Sequence, residues 1–375
     1  MQKVVFIISH PIQYYVPLLQ GLSNNDELDI VVLYTWGENS ISKFDPGFNR
    51  VVEWDMPLLE GYKYEFLTNI SADPGTHHFN GINNPDIINR IYELKPDKLV
   101  VFGWSFKSHL KVLKTFKGKI PIYFRGDSHL LNESNFIKNI LRRIYLTWIY
   151  KHIDFAIAVG TRNKMYYKRM GLKDNQILFA PHAIDDNRFL DDIEIDKSIP
   201  FPANNVKFIY VGKFEYRKDL ETLIQAKLLL KDLSCSLILV GNGPDILSLK
   251  EMARADKNIH FIDFVNQSKI PSIYKMADVF VLPSISETWG LGINEAMNAG
   301  LAIIASDKVG SAIDLVRNNG YIFTNRDVKD LSDKMKHLIE NRDLLNDFKK
   351  TSLRSIKEWS LTKLISNFVE ILLKK

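Results

Sequence analysis

The stretch "SISETWGLGINEAMNAG" at residues 284–300 holds two glutamates eight positions apart, Glu287 and Glu295, with a Trp-Gly-Leu-Gly turn between them. Ionised carboxylates only accept hydrogen bonds, whereas the backbone of a glycine turn opening a helix presents unpaired N–H donors. Acceptors beside donors in so short a span suit a ligand rich in hydroxyls and phosphate oxygens.

The flanks decide where these groups stand. Residues 278–283, "DVFVLP", form a short apolar β-branched run ended by proline and read as a buried strand. From Leu291 onward Ala296, Met297 and Ala299 favour helix, and Gly300 supplies the stop. A strand-turn-helix unit puts Glu287 on the loop at the strand's carboxyl end and Glu295 about one turn into the helix. In an open α/β sheet both then face the crevice where ligands bind. The amides of Gly290 to Gly292 point the same way. A plainer role stays open for Glu287, as a charge complementing the helix dipole.

Other strand ends carry similar equipment. "YVGKFEYRKDLETLIQA" places Gly212 after a strand, then Lys213 and Lys218 before a helix, two point charges suited to a diphosphate. "LVGNGPDI" adds Gly241 and Gly243, with Pro244 entering the next helix. Each turn alone reads equally well as loop chemistry.

The elements that must hold these turns alternate along the chain, which predicts α/β structure with parallel sheets. Strands are expected at 3–9, 28–34, 98–103, 120–125 and 154–159, with helices over 85–94 and 161–170. Residues 191–205, "DDIEIDKSIPFPANN", break the alternation and read as a linker. The pattern then restarts, with strands at 206–211, 235–240, 259–262, 278–283 and 301–304. Leu364, Ile365, Phe368, Ile371 and Leu372 recur at helical spacing in 361–375, a closing amphipathic helix. The expected domains are 1–190 and 206–356, with 357–375 packing back towards the first.

Bulk properties narrow the classes. With 375 residues, 46% hydrophobic and 25% charged, the chain has the composition of a soluble two-domain protein. One cysteine, Cys235, excludes a disulfide framework or a zinc cluster of cysteines and fits the cytoplasm. "MQKVVFIISH" is too short for a signal peptide, and no apolar run reaches the ~20 residues of a membrane span. The net charge of +5 lacks the dense basic block of nucleic-acid binding, and suits an acidic ligand or an anionic surface.

The run from "VGKFEYRKDLETLIQA" through "VGNGP" to "MADVFVLPSISETWGLGINEAMNAGLAIIASDKVGSAIDLV" resembles family 4 of the nucleotide-sugar-dependent glycosyltransferases. The matched signature is E-x7-E, with "EAM.AG" and a later "VG" before a helix; "FAPHAIDDNRF" at 179–189 is similar to the family's hinge-proximal segment. The resemblance implies the GT-B fold: two Rossmann-like domains facing across a cleft, with the C-terminal helix closing back on the first. It also implies a retaining, metal-independent transferase in glycan biosynthesis, with no cofactor beyond the nucleoside diphosphate sugar. Glu295 would accept from the ribose hydroxyls, and Glu287 would hold the donor sugar. Amides of Thr288, Trp289, Gly290 and Leu291 would assist, and the base would lie near Val265. Lys213 and Lys218 would neutralise the diphosphate; the family usually has arginine where Lys213 stands, so this chain gives up a bidentate contact there. The acceptor class implied is a polysaccharide, lipopolysaccharide or lipid-linked oligosaccharide. A sugar-nucleotide epimerase, a glycan phosphorylase and a silent nucleotide-sugar-binding subunit are the alternative readings.

In the first half, "SHPIQYYVPLL" places His10, Pro11 and Gln13 where many relatives have a double-glycine loop. His10 either stabilises the turn or touches the ligand. In "YFRGDSHLL" the position of the family's sugar-proximal histidine falls on Asp127, with His129 two residues later. Both are candidate contacts at the reacting centre, with a turn cap as the alternative for Asp127. His77 and His78 sit in a loop without an evident acid or cysteine partner, so no metal site is expected. Residues 135–151 form a basic amphipathic helix, with Ile137, Ile140, Leu141, Ile144 and Trp148 on one side and Lys138, Arg142 and Arg143 off it. Such a helix either lies on an anionic membrane surface or turns its apolar side to the core.

Overall fold

The computed structural model describes residues 1–41, 43–45, 47–48, 50–131, 136–190 and 205–374. The expected linker at 191–205 lies outside them except for Asn205. In chain order, β1 (Gln2–Ile8) and β2 (Leu28–Tyr34) precede a hairpin of β3 (Lys43–Asp45) and β4 (Arg50–Val52). There follow β5 (Lys63–Phe66), β6 (Lys98–Phe102), β7 (Ile122–Arg125), β8 (Phe155–Ala158) and β9 (Ile177–Phe179). The second half contributes β10 (Val206–Val211), β11 (Cys235–Val240), β12 (Ile259–Ile262), β13 (Val279–Leu282), β14 (Ala302–Ser306) and β15 (Gly320–Phe323).

The chain divides into two compact units: residues 1–43, 57–182 and 361–375, and residues 44–56 with 183–360. This division departs from a boundary at 190. The segment 183–190 goes with the second unit, where Arg188 donates to Gln267. The helix Leu361–Leu373 belongs to the first unit, but the turn Ile356–Trp359 before it stays with the second, where Trp359 packs against Trp289 with ring centres 5.2 Å apart.

Each unit is built on a parallel sheet. The order is β5-β2-β1-β6-β7-β8-β9 in the first and β12-β11-β10-β13-β14-β15 in the second. Central strands such as "CSLILV" of β11 are buried along their whole length, as a sheet covered on both faces by helices requires. Both orders reverse next to their first strand, between β1 and β6 and between β10 and β13. Loops leaving the carboxyl ends on either side of such a reversal diverge and open a crevice. Besides the short β3 and β4, three strands of the two parallel sheets, β5, β9 and β15, were not legible from hydrophobic runs. "KYEF" alternates, β9 has three residues, and "GYIF" is half-exposed at the sheet edge.

Candidate functional site

At the reversal in the second unit, the loop after β10 meets the loop after β13. Gly212 ends β10, and the chain passes Lys213 into a short turn, Tyr216–Lys218, before the helix Leu220–Leu228. Lys218 Nζ donates to the Glu287 carboxylate, with both side chains more than four-fifths buried. Low local dielectric strengthens this ion pair relative to one in water.

The Glu287 loop is fastened from below. Glu287 bridges to Val309; its N–H donates to Lys308 O at 3.3 Å, and its carbonyl accepts from Gly310 at 2.9 Å. The indole of Trp289 is buried and donates to Asn294 Oδ1 at 2.9 Å, so Trp289 offers the site its backbone and not its ring. Gly290 has φ +92°, and a Cβ there would stand 2.8 Å from Leu282 and 3.2 Å from Glu287. Only glycine fits the turn that opens the helix Leu291–Asn298.

One turn further, Glu295 accepts from the Tyr274 hydroxyl at 2.9 Å and lies 3.8 Å from Arg188. Burial raises its carboxyl above the ordinary range, opposed by the Arg188 charge and the Tyr274 hydrogen bond. Arg188 itself donates to Gln267 O at 3.0 Å and to its Oε1 at 2.7 Å. It thus links the 263–268 loop, which holds Val265, to Glu295. Neither Arg188 nor Tyr274 is marked as a site residue by the sequence alone. Arg188 was visible only as the "RF" of the hinge-proximal resemblance, and a tyrosine inside a helix gives no signal of its own.

Gly241 and Lys213 make further contacts between loops. A Cβ on Gly241 would sit 1.9 Å from Gly212 O, so that glycine exists for close packing between loops. Lys213 lies with its ammonium 5.0 Å from the Phe48 ring centre.

In the first unit the candidates stand on two loops, one after β1 and one after β7. His10 Nδ1 is 2.9 Å from the Ser9 hydroxyl, and its ring meets Trp36 edge-on at 5.2 Å. Gln13 follows it in the same loop, partly exposed. His129 Nδ1 accepts from the Leu131 N–H at 3.1 Å, the hydrogen bond of a turn cap. Asp127 precedes it in a loop held by Tyr167 to Gly126 and by Asn163 to Ser128. Behind them Arg125 is wholly buried and donates to Ala180 O and Pro181 O, both at 3.1 Å. Burial lowers its guanidinium below the ordinary value and holds the neighbouring His182 neutral.

The expectation that His77 and His78 lack an acid partner is corrected by Asp73. Its Oδ2 lies 3.1 Å from His77 Nε2 and 3.2 Å from His78 Nε2, because the loop folds back within five residues. All three are on the surface or partly exposed, and their atoms lie near enough to share an ion.

With this geometry in place, comparison with known proteins decides the class. Residues 191–354 match the family model described as "Glycosyl transferases group 1". The chain is a glycosyltransferase. This glycosyltransferase is similar to an uncharacterized glycosyltransferase of Methanocaldococcus jannaschii, 24% identical over 96% of this chain and 95% of that protein. It is also similar to the N,N'-diacetylbacillosaminyl-diphospho-undecaprenol alpha-1,3-N-acetylgalactosaminyltransferase of Campylobacter jejuni, 25% identical over 60% of this chain and 63% of that one. The crystal structure of Anabaena HepE in complex with UDP and glucose matches 99% of each chain, with a TM-score of 0.72 at 17% identity. That likeness establishes the fold, two Rossmann-like α/β units of the GT-B kind.

Proposed function

We propose that this glycosyltransferase moves a sugar from a nucleoside diphosphate to an acceptor hydroxyl, with retention of anomeric configuration and without a metal. The observation that carries the reading is the ion pair of Lys218 and Glu287 at the reversal between β10 and β13, inside the segment matching the family model.

The chemistry follows from the groups. The bond from the anomeric carbon to the diphosphate oxygen breaks, and the acceptor oxygen bonds to that carbon on the same face. The acceptor's proton passes to the departing phosphate. Lys218 and the amides opening the helix Leu291–Asn298 stabilise the charge that develops on the diphosphate. Lys213 adds a second charge. Glu287 accepts from hydroxyls of the donor sugar, and Glu295, oriented by Tyr274 and Arg188, accepts from the ribose. Asp127, His129, His10 and Gln13 are acceptor-side candidates. The names of the Campylobacter relative and of the HepE complex support a nucleotide donor and a lipid-linked or glycan acceptor.

The test is turnover with a panel of nucleoside diphosphate sugars, preceded by a thermal-shift screen. Activity should survive excess EDTA, and Lys218→Ala should impair transfer more than Lys213→Ala. An absolute requirement for magnesium or manganese would overturn the role given to the lysines.

A further inference from the structure

Residues 44–56 come from the first half of the sequence yet fold with the second unit. They hold most of the β3–β4 hairpin and the strap Glu53–Asp55 that follows. Polar contacts fasten the strap to the loop after β12. Asn266 Nδ2 donates to Glu53 O at 2.6 Å, and the Ser268 N–H donates to both Asp55 carboxylate oxygens at 3.2 Å. The Ser268 hydroxyl donates to Asp55 as well.

Aromatic rings make the second attachment. Phe48, at the hairpin's turn, meets Phe264 edge-on with centres 4.9 Å apart, and Trp54 lies 6.3 Å from the same ring. The turn also rests on Lys213. Its ammonium is 5.0 Å from the Phe48 centre, and a Cβ on Gly47 would come within 2.5 Å of the lysine chain. The hairpin therefore sits on one of the two lysines assigned to the diphosphate and on the loop that carries Val265.

These attachments suit an element that moves. A two-stranded hairpin is marginal by itself, and Glu53, Asp55 and Ser268 are exposed to competing water. Aromatic faces stack on any nucleobase, and a diphosphate is a stronger partner for a lysine ammonium than the ring it rests on.

Resting on the nucleotide-donor reading above, we propose that the hairpin is the lid of the donor pocket. Phe48 and Trp54, with Phe264, wall the nucleobase, and Lys213 turns from Phe48 to the diphosphate when the nucleotide enters.

Calorimetric titration of the full chain with UDP, GDP, ADP and inorganic pyrophosphate tests this. Phe48→Ala should weaken the preferred nucleoside diphosphate by about ten- to a hundredfold, the usual loss for one base stack, while leaving pyrophosphate at wild-type affinity. Nucleotide should quench tryptophan fluorescence in the wild type, with the Trp54 part of that signal missing in Trp54→Phe. Unchanged nucleotide affinity in both variants, with no Trp54 signal, would overturn the lid and leave the donor reading standing. Equal loss of pyrophosphate and nucleotide in Phe48→Ala would make the hairpin a structural prop only. If the wild type binds none of the nucleotides, the donor reading fails, and the lid with it.

Discussion

Glu287 and Glu295 differ in what surrounds them, and the roles proposed for them differ in testable ways. Glu287 is paired with Lys218, whereas Glu295 is held by a phenol and a more distant guanidinium. Glu295→Ala is expected to raise KM for the donor, and Glu287→Ala chiefly to lower kcat. Each loss should be roughly ten- to a hundredfold, the effect of removing one hydrogen bond to a charged group. Steady-state kinetics with wild-type constants in both variants would refute this. In the first unit, His109 is buried, with Nδ1 3.1 Å from both Phe102 O and Gly103 O and Nε2 2.8 Å from the Thr35 hydroxyl. The two carbonyls fix the proton on Nδ1, and burial lowers the ring's pKa from 6.5 to about 4. The unfolded chain protonates His109 below about 6.5, but the folded chain does so only near 4. Stability is therefore complete above that window and is lost as pH falls through it, by about 3 kcal/mol from this one group. Urea unfolding between pH 7.5 and 4.5 should show a shallower pH slope in His109→Gln than in the wild type.

At the scale of elements, the C-terminal helix is clamped by a lysine from another strand. Lys98 of β6 is 5% exposed, and its Nζ donates to Leu372 O and Lys374 O, both at 2.7 Å. A cation on terminal carbonyls satisfies groups that the helix cannot pair itself and complements its dipole. Burial lowers the Lys98 pKa below that of a free lysine. Lys98→Met should cost about 1.5–3 kcal/mol, with hydrogen-exchange protection lost first in residues 368–374. Protection unchanged there would mean that the packing of Leu364, Phe368 and Leu372, all fully buried, holds the helix without the clamp.

At the scale of the whole molecule, no helix among the described residues is long and apolar enough to cross a membrane. The helix Phe136–Tyr150 nevertheless turns apolar side chains outward. Ile140 is 43% exposed, Leu141 64%, Ile144 65% and Trp148 39%, while Leu146, Ile149 and Tyr150 face the core. The core-facing reading of that stripe is thus corrected; the side chains of Ile137 and Lys138 lie outside the described residues. Arg142 and Arg143 flank it, and Lys114 of the helix Lys107–Phe116 rests over the Trp148 ring at 5.4 Å. Such a face complements an anionic leaflet, each cation near it contributing about 1 kcal/mol. Full-length protein should sediment with phosphatidylglycerol vesicles at low salt and release as salt rises. Arg142→Ser with Arg143→Ser should weaken the binding, and wild type that ignores such vesicles would rule it out.

Local chemistry made part of this protein readable from its residues alone. Buried parallel strands announce themselves as apolar runs, so "CSLILV" and "VKFIYV" were legible, and a glycine turn between a strand and a helix placed Glu287 and Glu295. The resemblance around E-x7-E carried the class of enzyme. Which distant groups meet became visible in the fold. Lys218 reaches Glu287 across 69 positions because β10 and β13 are neighbours, and strand order leaves no mark on local composition. Arg188 and Tyr274 became parts of the Glu295 site for the same reason. The hairpin at 44–56 shows the limit most plainly. Its residues lie between two strands of one unit and carry no periodic signal of their own, yet contacts with Phe264, Asn266 and Ser268 assign it to the other. Those contacts join residues more than two hundred positions apart, which periodicity over a short window cannot register.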